Sequence, residues 1–377
     1  MSDLPNDPNR ESIPLLLARP SRIAIVNRPS VPPGGPAGNA PTPSIRVPST
    51  RAETAGAIGY LRSWLGAAGT LMVALLVMCA VFADLLASDL PIACKVHGNV
   101  HLFANVTQPA ELLALGTEGV EREAEWKIWP LVKSGPESST STSTSTSLAA
   151  APRREHPFGT DLRGRDVFAR VVHGTRTYFV FALGAVVASL LLGGLMGSIA
   201  GLFGGPADSL VGRAIETVSA FPPLVLVLGI QAAVPHATVA TLFLAIALTR
   251  WPEVARLVRA EVMQVATRDY VLAARALGAS PWRVLRKHVA PNIRGQLIVL
   301  GATGIPGVIL IEASLDFLRV SAPLAAASWG ETMSEFRDAH NAWWLLAFPG
   351  GFLFATVVAL TLVGEARRDA MDPRARR

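Results

Sequence analysis

Long apolar runs separated by polar, charged or proline-rich stretches set the rhythm of this chain. Six such runs, at residues 64–86, 179–203, 215–233, 238–251, 296–317 and 343–364, approach the ~20 residues a helix needs to cross a bilayer. The fourth is short, with room to extend at either end. The pattern predicts an all-α polytopic membrane protein with about six transmembrane helices. An even number of spans puts both termini on one side.

One polar stretch between two runs keeps a helical pattern of its own. Tyr270, Ala273 and Leu277 recur at i, i+3, i+7, and Val271, Ala274 and Gly278 follow the adjacent line. Asp269 and Arg275 lie around that small-residue face. Ser280-Pro281 then reads as a new N-cap and first helical position. The second helix predicts an apolar stripe of Trp282, Leu285 and Val289 against a basic face of Arg283, Arg286 and Lys287, with Pro291 stopping it. A small-residue helix with charged edges suits docking into a groove on another protein. A helix lying on the membrane is the plainer reading, and the second helix fits it too.

Composition agrees with the pattern. Half of the 377 residues are hydrophobic, 16% are charged, and the mean hydropathy is +0.39. The net charge of +6 would point to nucleic acid in a soluble protein. Here the basic residues flank apolar runs, so no nucleic-acid partner is expected, and the lipid bilayer is the first partner. Residues before the first run hold seven Arg and four acids, and the stretch 250–294 holds nine basic residues and three acids. The tail from 365 holds five Arg and three acids. All three fall on one side of a six-span chain, which the positive-inside rule makes cytoplasmic. Residues 1–60, rich in Pro and Arg, read as a disordered cytoplasmic tail. The first span occupies 61–87, an extracytoplasmic loop 88–176, a core of the remaining spans 177–366, and a basic cytoplasmic tail 367–377. The loop contains a nearly pure Ser/Thr linker at 138–147.

Within the runs, Gly193, Gly197 and Gly201 form a groove that lets another backbone approach closely, either inside the bundle or on a partner subunit. Phe221-Pro222-Pro223 bends the third run near its start. Glu312 and Asp316 share a helix face, and intramembrane acids are costly unless they face a cavity or a partner. Glu312 reads as a cavity-lining acid, with a structural acid bonded to a neighbouring helix as the alternative, and Asp316 reads as lying at the outer boundary, where its cost is small; as lining of a path through the membrane, Asp316, Glu216 and Gln231 stand behind Glu312. Cys94, His97 and His101 make a poor metal pattern without a fourth ligand, so no metal is expected and an exposed polar loop is the default. No phosphate-binding Gly-x-x-x-x-Gly-Lys loop, Gly-x-Ser-x-Gly or His-Glu-x-x-His occurs. The expectation is a non-catalytic chain with no cofactor of its own.

The stretch from Tyr270-Val-Leu-Ala-Ala-Arg-Ala-Leu-Gly-Ala to Pro291-Asn292 resembles the EAA loop of ABC importer permeases. Leu272 stands where that motif has Glu, and Ala290 where Leu is usual. Further segments are similar to the C-type permeases of dipeptide, oligopeptide and nickel importers. They are His156-Pro-Phe-Gly-Thr-Asp-Leu-Arg-Gly-Arg-Asp through Arg170, Glu312-Ala-Ser-Leu-Asp-Phe-Leu318, Ser328-Trp-Gly330 and Gly364-Glu-Ala-Arg-Arg-Asp-Ala-Met-Asp-Pro373. The outer loop, with Asp89-Leu-Pro-Ile-Ala and Trp126-Lys-Ile-Trp-Pro130, resembles the microcin C and oligopeptide subgroup. Arg319 and Val320 depart from the Gly-rich turn usual after the fifth span.

The resemblance implies a type I importer permease fold in the bacterial inner membrane. It implies a heterodimer with a second homologous permease, two cytoplasmic ABC ATPase subunits that hold ATP and Mg, and an extracytoplasmic substrate-binding protein. It assigns ATPase coupling to Asp269, Ala273, Ala274, Arg275 and Gly278. The implied cargo is peptide-like, with chelated nickel as the alternative; the residues alone leave a non-transporting membrane scaffold or receptor open.

Overall fold

A computed structural model describes residues 64–139, 149–236, 238–320 and 327–371. The expected tail at 1–60, most of the Ser/Thr linker and the last residues of the C-terminal tail lie outside the described residues.

Helix α1 (Trp64–Val81) leads to a small antiparallel sheet of β1 (Ala93–Val96), β2 (Asn99–Leu102) and β3 (Trp126–Ile128), with β1 in the centre. Helix α2 (Ala110–Glu123) lies between β2 and β3 in the chain. Leu90, Cys94, Val96, Leu112 and Val120 close a small core there. The outer loop is therefore a folded sub-domain rather than an exposed polar loop, and the chain is mostly rather than wholly helical. Ala87 and Val132 pack with Ala169 and tie the sub-domain to the bundle.

The bundle proper begins with α3 (Val167–Phe203), then α4 (Gly205–Ser219), α5 (Pro223–Ala233), α6 (Val239–Ala266) and α7 (Asp269–Ala276). Helix α8 (Pro281–Phe317), α9 (Trp329–Glu335) and α10 (Trp344–Met371) complete it. Capping fixes several starts. Asp166 accepts from the Ala169 N–H at 2.8 Å to open α3, and Thr238 and Thr241 form a reciprocal box at the start of α6. Pro222 and Pro223 stand at the expected break, where α4 and α5 meet at 90°.

Among the described residues four helices, α1, α3, α8 and α10, are long and apolar enough to cross a membrane, and the bent α4–α5 pair makes five if it counts as one span. The short run 238–251 is the first half of α6. That helix continues to Ala266 through Arg250, Glu253, Arg256 and Arg259, and these charges keep it from reading as apolar. Leu71, Leu75, Val180, Leu191 and Phe354 are 62–71% exposed. In water such a ring of apolar surface would be untenable; in a bilayer it faces lipid.

Helices α3 and α6 run parallel and pack along the glycine groove. A Cβ on Gly193 would stand 2.5 Å from Val254 Cβ, one on Gly197 2.5 Å from the Ala255 carbonyl, and one on Gly201 2.8 Å from that of Arg259. The groove is filled by a helix of the same chain, so it is not a sliding face for a partner subunit. The core joins α3, α6, α8 and α10 through Tyr178, Ala182, Leu242, Ile246, Ile309 and Leu345.

Candidate functional site

The polar segment after α6 is built as two helices around a glycine. Helix α7 ends with Gly278 in the left-handed region at φ +86°. The Gly278 N–H donates to the Arg275 carbonyl at 2.9 Å and the Ala279 N–H to that of Ala274 at 3.0 Å. This is the paired bond pattern that closes a helix on a left-handed residue. Nothing lies within 4 Å of a Cβ built on Gly278, so glycine is needed there for its backbone and not for space. Ser280 accepts from the Arg283 N–H at 3.3 Å, and Pro281 opens α8.

The two lines of α7 part company. Val271 is fully buried against Val258, Val262, Val265, Val284 and Val289, and Ala274 is half-buried behind it. Tyr270, Ala273 and Leu277 face outward, as do Asp269, Arg275 and Gly278. Leu277 is 89% exposed and Trp282 66%. The five coupling candidates thus sit together on one short element, four exposed and Ala274 half-covered. Leu277 joins them; its place on the outward line was visible in the sequence, but its exposure was not.

Two expectations for the second helix fail. Pro291 does not stop it, and Trp282 points out while Val284 points in. The cause is a π turn at Leu285–Val289. Val284 and Val289, five apart, would diverge by roughly 140° on a regular α-helix. With one extra residue in the turn they share the buried face. The wider turn also places Pro291 at the start of a fresh α segment, where its missing N–H is tolerated. Asn292 Nδ2 donates to Tyr270 Oη at 3.1 Å and ties the foot of α8 to α7.

The substrate-path candidates do not converge. Glu312 is fully buried, and neither carboxylate oxygen has a hydrogen-bond partner among the described residues. It is enclosed rather than cavity-lining, and no neighbouring helix bonds it. Asp316, one turn on, accepts from Tyr178 Oη at 3.2 Å and from Ser328 Oγ, inside the core and not at a wet boundary. Gln231 is buried and accepts from Thr241 Oγ1 at 3.3 Å, whereas Glu216 is exposed on α4. Cys94 and His101 oppose each other across β1 and β2, but Cys94 is in the core, His97 binds Glu111 and Glu123, each at 3.1 Å, and His101 lies 3.7 Å from Glu111. The three do not share a centre.

The motif at 156–170 builds a charged latch at the opposite end of the bundle from α7. Asp166, besides capping α3, binds His156 Nδ1 at 2.6 Å. Arg165 Nε donates to Asp161 at 2.6 Å, and its Nη2 reaches Glu335 at 3.2 Å. Arg170, with no exposed surface, binds Glu331 at 2.6 Å, Glu137 at 2.8 Å and Thr332 at 3.1 Å. Burial raises the Glu331 carboxyl, but Arg170, Arg165 and Arg163 outweigh it and hold that group below the usual range. Burial and the nearby Asp161 push Glu335 the other way.

Residues 193–377 match the family described as binding-protein-dependent transport system inner membrane component. A stretch of 227 residues is 37% identical to the oligopeptide transport system permease protein OppC of Bacillus subtilis (strain 168), covering 60% of this chain and 74% of that one. Two proteins of Brucella suis biovar 1 named as peptide permeases are each 36% identical. One is matched over 231 residues, 60% of this chain and 76% of the relative, the other over 247 residues, 65% and 81%.

Proposed function

This chain belongs to the family of binding-protein-dependent transport system inner membrane components, and we propose that within it the chain forms half of the path for peptide-like cargo. Its fellow would be a second homologous permease, and two ATPase subunits would dock below. An extracytoplasmic binding protein would deliver cargo at the end that carries the β-sheet sub-domain. Both termini would then be cytoplasmic, on the side of α7. The peptide class rests on the names of the relatives, and ATP and Mg belong to the partner.

The observation that carries the coupling role is the outward face of α7. An 89%-exposed leucine beside a rigid glycine cap is costly surface in water and cheap in a partner's groove. Val271 seats α7 on the feet of α6 and α8, so a push on α7 reaches both helices as a unit. Closure of the ATPase pair would move α7, and the bundle would rock between inward-open and outward-open states.

Leu277→Asp tests this directly. The side chain is exposed, so the variant should insert and fold as the parent does. Purification from detergent-solubilised membranes should recover parent chain with an ATPase, and variant chain with at least tenfold less, an effect of the size expected for an interface anchor. Equal recovery and equal transport in the variant would remove α7 from the coupling role.

A further inference from the structure

Arg250 was expected at the edge of a cytoplasmic loop, yet it stands at mid-height in the bundle. Ser189 and Leu190 of α3 and Leu300 and Gly304 of α8 line a water-sized cavity of about 20 Å³ with Arg250 and Glu253. Leu190 lies near the middle of the apolar run 179–203, about 17 Å from one end and about 20 Å from the other at 1.5 Å per residue. Gly304 lies well inside the run 296–317. The two helices that flank Arg250 therefore agree on the depth. An arginine so placed is expensive and faces a cavity or a counter-charge.

Its seat is shaped for it. A Cβ on Gly307 would come within 2.9 Å of Arg250 Nη1, and one on Gly304 within 3.7 Å of Nη2. The glycines of α8 leave the space that the guanidinium fills. The Arg250 side chain is 19% exposed, and its Nη2 lies 3.1 Å from Glu253, whose side chain is 54% exposed. The positive group is thus held inside and the negative group stands at the mouth. The shortest contact of that ion pair is made by Nη2, while a guanidinium offers five N–H donors in a planar fork suited to a carboxylate.

We propose that Arg250 is a carboxylate-binding site in the translocation path and takes the C-terminal carboxylate of a peptide cargo. Glu253 is the counter-ion that holds the guanidinium between cargoes. The exchange swaps one carboxylate for another, so no proton or co-reactant is required. The site rests on the peptide reading above. It differs from the acid candidates Glu312 and Asp316, which are enclosed in the core.

The test uses the assembled transporter in membrane vesicles and two probes, labelled tetra-alanine and its C-terminal amide. Uptake of both is measured in parent, Arg250→Gln and Arg250→Lys, and read as the acid-to-amide ratio, which cancels differences in expression. Arg250→Gln should lower the ratio about tenfold, the scale of a lost charge-assisted bond, and Arg250→Lys should lower it less. Should Arg250→Gln fail to accumulate, Gly307→Ala crowds Nη1 from the facing helix and should shift the ratio in the same direction. A ratio unchanged by these substitutions overturns the carboxylate site and leaves the peptide reading standing. Parent vesicles that import neither probe on ATP overturn the peptide reading and the site with it.

Discussion

The two ends of the bundle handle polarity in opposite ways. At the end built on residues 156–170 and α9, charges are drawn inside, and Arg170 is fully buried among carboxylates. At the end built on α7, apolar groups are pushed outside, with Leu277 and Trp282 in the open. The helix ends show the same contrast. Helix α7 closes on Gly278, whose left-handed backbone needs no help. Helix α8 closes on Arg319 at φ +59°, where a side chain makes that conformation unfavourable. Arg319 compensates by donating to Ser334 Oγ at 3.0 Å and to the Ser334 carbonyl at 3.1 Å, and by pairing with Asp338. The departure from a Gly-rich turn is thus a change of device at one backbone conformation, and it straps α8 to α9. One end is fastened to itself, and the other is left for a partner to hold.

The largest break in that contrast should come at Arg170. Arg170→Ala empties a buried site and leaves Glu331 and Glu137 to Arg163 and Arg165 alone, and should cost about 2–3 kcal/mol, because one of several partners is lost. Thermal unfolding of the detergent-solubilised chain would show it as a clear fall in midpoint. Adding Glu331→Ala should restore part of the loss, since the less compensated charge is then gone; strict additivity would mean that the pair is not coupled. A smaller effect is expected at the other end. Gly278→Ala imposes a side chain on a backbone at φ +86° and should cost about 1 kcal/mol. That cost falls on the cap of α7, so proteolysis or amide exchange near 269–281 should rise while the global midpoint barely moves.

Much of this was legible along the chain, and the failures have specific causes. Ser280-Pro281 and the glycine ladder at 193, 197 and 201 spoke through local geometry, and the structure uses all of them. Helix α6 was cut short because Arg250 and Glu253 interrupt an apolar run, and a pattern that equates charge with loop ends the span there. Val284 was missed because the stripe assumed 3.6 residues per turn across a π turn. The outer sheet was missed because its strands are three or four residues long, too short for alternation to show. The latch is a motif in the sequence at 156–170, yet its distant partners Glu331 and Glu335 become visible only when α9 folds back onto α3. Burial was the hardest to read: Glu312 and Glu216 look alike in sequence, and the fold encloses one and exposes the other.

The smallest effect sharpens the contrast from inside the latch, through two acids on the same short helix. Glu331 is held below the ordinary glutamate value of 4.5, so its stabilisation is present above that value and lost as the pH falls through the depressed one. Glu335 is held above 4.5 by burial and Asp161, so its sign is reversed. Its contribution is full below 4.5 and is lost as the pH rises through the raised value. Glu331→Gln should therefore flatten the acid side of a midpoint-against-pH profile. Glu335→Gln should flatten the side above 4.5, at a cost of less than about 1 kcal/mol, because it removes a charge that the site disfavours while keeping an oxygen for the Leu162 N–H. Identical profiles for the two variants would mean that the arginines do not distinguish the two carboxylates, and that the latch is a diffuse charge cluster without assigned partners.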